Sequence, residues 1–355
     1  MSTVHLAGFA GTYFTSQVPD VNISVPVLTS VKTRVTIAVD GEEIFNEVLW
    51  PVNGSVTLSE LGSMFEPIAQ NELVIGVAIT SRLMDEDDNY VGNPTESTAT
   101  VLYSRADVGI TALEFYNSYF LSILMGTKIT AHGRLEYLHY YGDDDVSVLA
   151  EYADGTTRTF EVLKSGGTTK YTQVDVSPDY YELPVKSLVA YTVTAGNRHQ
   201  RFEMDLSEPD CAPILEFYNS FGVWELLYCT GKHRVNPEYK RSAARINGML
   251  RNYKIEETRK FEADTGILNT AMANWADDLF RSDEVYVVNV INGSVTSADG
   301  GKQVIITDSK SEVTNEDDDM PRFTFTYQYA QRNHNVLQMN RVGRIFDNTF
   351  DSTFN

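Results

Sequence analysis

The sequence predicts a mainly β protein: tandem immunoglobulin-like β-sandwich modules, with one helix and a basic insertion in the C-terminal module. Three observations carry that expectation. The octapeptide Leu113-Glu114-Phe115-Tyr116-Asn117-Ser118-Tyr119-Phe120 returns as Leu215-Glu216-Phe217-Tyr218-Asn219-Ser220-Phe221-Gly222, 102 residues downstream. That spacing is too long for a helical solenoid or a propeller blade and suits a sandwich module of about 100 residues. Hydrophobic residues make up 42% and aromatic residues 11% of the 355, with 20 Tyr and 17 Phe, which is the composition of an ordered, strand-rich chain. Short apolar runs also alternate with turn chemistry at hairpin intervals. The length allows three modules, each able to bury its own core: 1–108, 109–210 and 211–345, followed by a Phe-rich C-terminal tail, 346–355.

In the first module, Val31 to Val39 alternates with period two, as a strand with one buried face does, and Asp40-Gly41 supplies hairpin turn chemistry. Strands follow at Glu47 to Trp50, Leu73 to Thr80 and Ser97 to Tyr103, and Ser59 before Glu60-Leu61-Gly62 allows one short helical turn at most. The second module reads as strands at Gly133 to Tyr141, Val146 to Tyr152, Thr157 to Leu163, Tyr171 to Val176, Val185 to Thr194 and Arg201 to Leu206. Gly142-Asp143-Asp144-Asp145, Asp154-Gly155, Ser165-Gly166-Gly167 and Gly196-Asn197 break these runs where turns are needed. In the third module an Arg- and Lys-rich insertion follows Tyr228-Cys229-Thr230-Gly231. From Asn269 to Arg281, Met272, Trp275, Ala276, Leu279 and Phe280 recur at helical spacing, with Thr265 or Asn269 as N-cap. Strands resume at Glu284 to Val290, Gln303 to Thr307 and Phe323 to Tyr329, the last preceded by an acidic loop, Glu316 to Asp319.

Forty-nine acidic against 28 basic residues give a net charge of -21, which repels nucleic acid and anionic membrane and favours proteins or cations as partners. The first residues lack a secretory signal and no run of about 18 apolar residues occurs, so the expectation is synthesis in a cytoplasm without membrane insertion. Cys211 and Cys229 have no Cys-x-x-Cys context and read as reduced, buried residues.

Enzymatic signatures are missing from the sequence. It has no Gly-x-Ser-x-Gly elbow, no Gly-x-x-x-x-Gly-Lys loop, no His-Glu-x-x-His and no dinucleotide fingerprint, and His5, His132, His139, His199, His233 and His334 are scattered. Asp85-Glu86-Asp87-Asp88-Asn89 is contiguous rather than alternating, so it reads as a solvated turn and not as a calcium loop, as does Gly142 to Asp145. The chain is therefore expected to be no enzyme and to carry no catalytic residue, metal or cofactor.

Two features exceed an ordinary surface. Lys232, Arg234, Lys240, Arg241, Arg245, Arg251, Lys254, Arg259 and Lys260 concentrate nine of the 28 basic residues within 29 positions. Such segregation makes a dipolar protomer, suited to docking on an acidic neighbour, most economically another copy in a head-to-tail ring; an extended, solvated arm is the plainer reading. In the tail, Phe346, Phe350 and Phe354 recur every fourth residue, and burying each ring gains about 1.5 to 3 kcal/mol, which favours docking on this or a neighbouring subunit.

Leu215 to Glu225, Thr258-Arg259-Lys260-Phe261-Glu262-Ala263-Asp264-Thr265-Gly266 and Arg344-Ile345-Phe346-Asp347-Asn348-Thr349-Phe350-Asp351 resemble virion proteins of tailed phages of Bacteroidetes, crAss-like phages included. The likeness covers mainly 109–355. It implies a structural tail component (hub, collar, baseplate or fibre adaptor) in the virion, with other copies of itself and other virion proteins as partners. The alternative is a carbohydrate-binding or adhesin-like tail module whose Tyr90, Tyr140, Tyr141, Tyr180 and Tyr181 stack on host glycans.

Overall fold

A run of alternating apolar residues needs a second layer to bury its inner face, and the chain meets that need with paired sheets and, among the described residues, three α-helices. A computed structural model describes residues 5–7, 9–25, 32–162, 171–209, 211–291, 294–295, 301–310 and 320–330. Two compact units emerge, Met1–Ser118 and Tyr119–Asn355. The architecture is mainly β, with tandem immunoglobulin-like sandwich modules.

The first unit comprises β1 (His5–Ala7), β2 (Gly11–Phe14), β3 (Val21–Ser24), β4 (Lys32–Val39), β5 (Glu42–Leu49), β6 (Ser55–Leu58), α1 (Leu61–Glu72), β7 (Val74–Met84), β8 (Tyr90–Leu102) and α2 (Ala112–Ser118). Its two sheets run β2-β8-β7-β4-β5 and β1-β3-β6. Val35, Ile37, Ile75, Val77, Ile79 and Val101 are buried, as the alternation requires. Asp40 and Gly41, both at positive φ, close the β4–β5 hairpin. The expected single helical turn after Ser59 is instead the twelve-residue α1. Leu61, Phe65 and Ala69 form its buried stripe at i, i+4 and i+8, and this packing outweighs the cost of Pro67 inside the helix. Gly62 is required there, because a Cβ would collide with the Thr15 carbonyl.

The second unit holds β9 (Lys128–Thr130), β10 (Tyr137–Tyr140), β11 (Val146–Tyr152), β12 (Thr157–Val162), β13 (Thr172–Asp175), β14 (Leu188–Ala195), β15 (Arg198–Met204), β16 (Ile214–Tyr218), β17 (Trp224–Tyr228), β18 (Arg234–Ile246), β19 (Met249–Asp264), α3 (Thr270–Arg281), β20 (Val285–Val288), β21 (Val290–Ile291), β22 (Ser294–Val295), β23 (Lys302–Lys310) and β24 (Thr324–Tyr329). One sheet runs β12-β11-β14-β15-β9 and encloses, with the β10–β13 pair, a core that includes Tyr140, Val148, Val174, Tyr181, Tyr191 and Phe202. The other runs β17-β16-β20-β23-β24-β19-β18, and α3 covers one of its faces. The side chain of Asn269 caps α3 by accepting from the Met272 N–H at 2.8 Å, and Trp275, Ala276 and Leu279 are fully buried.

The two copies of the octapeptide do not fold alike. Ala112–Ser118 is helical, with Thr111 Oγ1 accepting from the Glu114 N–H, whereas Ile214–Tyr218 is strand β16, entered from Pro213. The last position separates them. Gly222, at φ 78°, closes a turn in which Asn219 Oδ1 accepts from the Phe221 and Val223 amides, and Phe120 stands at the corresponding place in the first copy. Cys229 is a buried free cysteine, with burial pushing its thiol pKa up; Cys211 is free as well but only half-buried, contrary to expectation.

Candidate functional site

The basic insertion is a β-hairpin. β18 and β19 pair from Arg234↔Glu262 to Ile246↔Met249, and Asn247-Gly248, at φ 51° and 79°, makes the two-residue turn such a hairpin needs. Only the base belongs to the sheet, since β19 pairs with β24 no farther than Lys260↔Gln328. Beyond it, among the described residues, the two strands pair only with each other. At about 3.3 Å per residue, the ten steps from Arg259 to Met249 carry the tip some 33 Å past the sheet.

Cross-strand pairs share a face, so the register sorts the side chains. Val235↔Phe261 lies on the α3-covered face, and the same face continues outward through Pro237↔Arg259, Tyr239↔Glu257 and Arg241↔Ile255. A bulge between Ser242 and Ala243 leaves Tyr253 unpaired in the ladder, and Arg245↔Leu250 completes this face. At the base it is covered: Phe261 stacks on Tyr327 at 4.9 Å, and His233 lies over both rings with Nε2 at 2.8 Å from the Tyr327 hydroxyl. Farther out it is bare. On this face Leu250 is 74% exposed, with Tyr239 and Ile255 also exposed; Tyr253 at the bulge is 66% exposed, and Ile246 and Met249 stand exposed on the reverse face.

Charge follows the same division. The acidic residues of the ribbon sit near its base, where Glu257 pairs with Arg259 at 2.8 Å, Glu238 with Lys260 at 3.1 Å and Glu256 with Lys254 at 2.5 Å. From Tyr239 to Ile255 there are five basic residues and no acidic one. Arg241 lies over the Tyr239 ring at 4.9 Å, while Lys240, Arg245 and Arg251 make no ion pair among the described residues. Lys232, exposed, precedes the hairpin, and Arg234 begins it. Thus Arg234, Lys240, Arg241, Arg245, Arg251, Arg259 and Lys260 come together on one projecting element. Phe346, Phe350 and Phe354 lie outside the described residues. Nothing in the insertion's sequence distinguished a coil from a hairpin except Asn247-Gly248, the signal that could have located its turn.

The five tyrosines considered for sugar stacking do not form a platform. Tyr140, Tyr141 and Tyr181 are core residues at 3% exposure or less; Tyr90, beneath Arg82, belongs to the first unit, and Tyr180 to the second. An aromatic group that sequence reading missed stands on the seven-stranded sheet's other face: Trp224 makes edge contacts with Tyr218 at 5.2 Å and Tyr286 at 5.7 Å, beside Glu216, whose carboxyl pKa is raised by partial burial. Period-two spacing on β16 (Ile214, Glu216, Tyr218) is the signal that could have revealed this face.

The acidic turns are structural. Asp85 accepts from the Asp87 and Asn89 amides, which lowers its pKa, and Asp88 pairs with Lys32. Asp144 pairs at 2.7 Å with Arg198, which is fully buried and also donates to the Tyr141 carbonyl. Among the described residues no three His, Cys, Asp or Glu side chains converge as a metal site. The titratable groups most displaced from ordinary values are interior. His139 is held down to about 4 by burial, between the Tyr171 hydroxyl at 2.5 Å and the Trp224 carbonyl at 3.1 Å. Glu225 is raised by burial and accepts from Trp275 Nε1 and Asn219 Nδ2, both at 2.9 Å. No helix among the described residues is long and apolar enough to cross a membrane.

No protein-family model matches the chain, and no curated protein matches it. Among solved structures, it is similar to the CbhA fibronectin(III)-like modules of Clostridium thermocellum at 10% identity, over 57% of this chain and 94% of that one, with a TM-score of 0.17. A second similarity is to Bacteroides ovatus SGBP-B of a mixed-linkage glucan utilization locus, in complex with a mixed-linkage heptasaccharide, at 11% identity over 87% and 73%, with a TM-score of 0.16. At those scores neither likeness bears on function.

Proposed function

We propose that this chain is a non-enzymatic structural component of a phage virion tail (a hub, collar, baseplate or fibre adaptor) that assembles with copies of itself and other virion proteins through protein–protein contacts. The observation that carries this reading is the arm. A two-stranded ribbon is marginally stable on its own in water, yet this one extends well beyond its sheet with bare Leu250, Tyr253 and Ile255 and an unbalanced positive charge. Covering those side chains with an acidic neighbour would supply both the apolar burial and the countercharge the free arm lacks. The phage setting is supported by the sequence resemblance alone. Light scattering at micromolar concentration in low and high salt tests the assembly: an oligomer that loosens with salt is expected, and a strict monomer in both, with no partner, would remove the proposal. Detection of the chain by mass spectrometry of purified particles tests the setting.

The Tyr218–Trp224–Tyr286 group favours one second reading, a glycan-contacting module, since an exposed indole flanked by two half-buried tyrosine rings, beside a carboxyl, suits sugar faces and hydroxyls. A glycan array showing binding by the wild type and none by Trp224→Ala would support it. An array without hits would dismiss it.

A further inference from the structure

The geometry points to a specific receiving surface: the basic arm of one copy docks along the open edge of β5 in a second copy. This rests on the reading of the arm as an assembly contact and adds the surface that receives it.

β5 is the last strand of its sheet, paired with β4 on one side and with no strand on the other among the described residues. It is eight residues long and carries half-buried Ile44, Phe45, Val48 and Leu49, continuing into Trp50 (68% exposed) and Val52 (73%). A long apolar edge of this kind invites pairing with any exposed strand. What guards it is acidic. Glu42 and Glu47 stand opposite Val39 and Val35, on the face whose β4 residues are buried, and Glu43 stands on the reverse face; all three are exposed. Inward-facing charge on an edge strand blocks pairing with a second β5, because carboxylate would meet carboxylate in a desolvated contact.

β18 is the reciprocal case. It ends the seven-stranded sheet, its outer side is unpaired among the described residues, and it bears Lys240, Arg241 and Arg245. A β18–β18 contact sets cation against cation. Only the mixed contact relieves both edges, placing guanidinium and ammonium groups beside Glu42, Glu43 and Glu47 and laying Tyr239, Leu250 and Tyr253 near Phe45 and Trp50. The wider fields agree, since residues 1–118 carry 15 acidic against four basic side chains, a net of -11, facing an arm tip of five charges of the opposite sign. Because the two surfaces differ, a dimer joined by one such contact keeps one free β5 edge, on the copy that gives its arm, and one free arm, on the copy that receives it. The contact is heterologous and propagates until a rotation closes it.

The test uses the full-length chain and two charge-reversed variants, E42K/E47K on β5 and K240E/R241E/R245E on the arm, all at exposed positions, with circular dichroism confirming wild-type melting. Each variant alone is expected to self-associate about tenfold or more weakly than wild type by sedimentation at low salt. An equimolar mixture is expected to recover assembly, since basic edges then meet acidic arms and the reverse. If E42K/E47K assembles like wild type while the arm variant does not, the arm docks elsewhere and this inference fails with the assembly reading intact. If neither reversal weakens association, both fail. Dispersal of both variants without recovery on mixing overturns the specific pairing.

Discussion

The base and the tip of the β18–β19 ribbon share one hydrogen-bond ladder and stand in opposite surroundings. At the base, Phe261 is sealed between His233, Tyr327 and Tyr329, and the sheet behind it rests on α3. At the tip, Leu250 and Tyr253 face solvent, and Arg245 and Arg251 make no ion pair among the described residues. The difference teaches that residues buried in the fold and residues left bare can belong to one continuous element, and on the proposed reading the bare ones serve assembly. Base positions hold the fold and tip positions are free to hold a partner, so substitutions should divide cleanly between the two effects.

The largest effect is expected at the covered end. Trp275→Ala removes a fully buried ring from α3 and leaves the Glu225 carboxylate without its indole donor, so chemical denaturation should show a loss of about 3–5 kcal/mol for the second unit. Acid comes next. His139 titrates near 4 when folded and near 6.5 when unfolded, so the unfolded state binds more protons between those values, and the stability present above pH 6.5 drains away as pH falls toward 4. Between pH 7.5 and 5 this group alone should withdraw about 2 kcal/mol. Glu225, Glu216 and Asp278, raised by burial, act in the opposite sense on acidification, so the measurement is the difference in pH dependence between wild type and His139→Gln.

A smaller change, about 1 kcal/mol, is expected for Asn269→Ala, which strips the N-cap from α3 and the Asn269 Nδ2 bond to the Thr127 carbonyl. The smallest belongs to the tip. Leu250→Ser with Tyr253→Ser should leave the melting free energy within about 0.5 kcal/mol of wild type, yet weaken self-association measured by sedimentation. A tip substitution that unfolds the second unit would break the division.

Much of this arrangement was legible from sequence. Period-two runs located β4, β11, β14 and β24, and the 3.6-residue spacing from Met272 to Phe280, with Asn269 before it, located α3 and its cap. Where reading failed, tertiary context had overridden local signal. Pro67 and Gly62 masked α1, whose formation depends on the buried stripe of Leu61, Phe65 and Ala69. The octapeptide proved that identical residues need not fold identically: Thr111 starts a helix before one copy, while Pro213 and Gly222 frame a strand and turn around the other. The concentration of Arg and Lys at 232–260 was visible, but its hairpin form was not, because that ribbon has exposed side chains on both faces and so lacks the buried-face alternation that identifies a strand. The Trp224 group escaped notice because it assembles across three strands.

The most direct test of the arm's role replaces residues 240–256 with Asn-Gly, joining the paired Tyr239 and Glu257 through a two-residue turn, and follows mass by light scattering in low and high salt. The account predicts a salt-sensitive oligomer for the wild type and a monomer with unchanged melting for the shortened chain. Equal masses for the two proteins in low salt would contradict it.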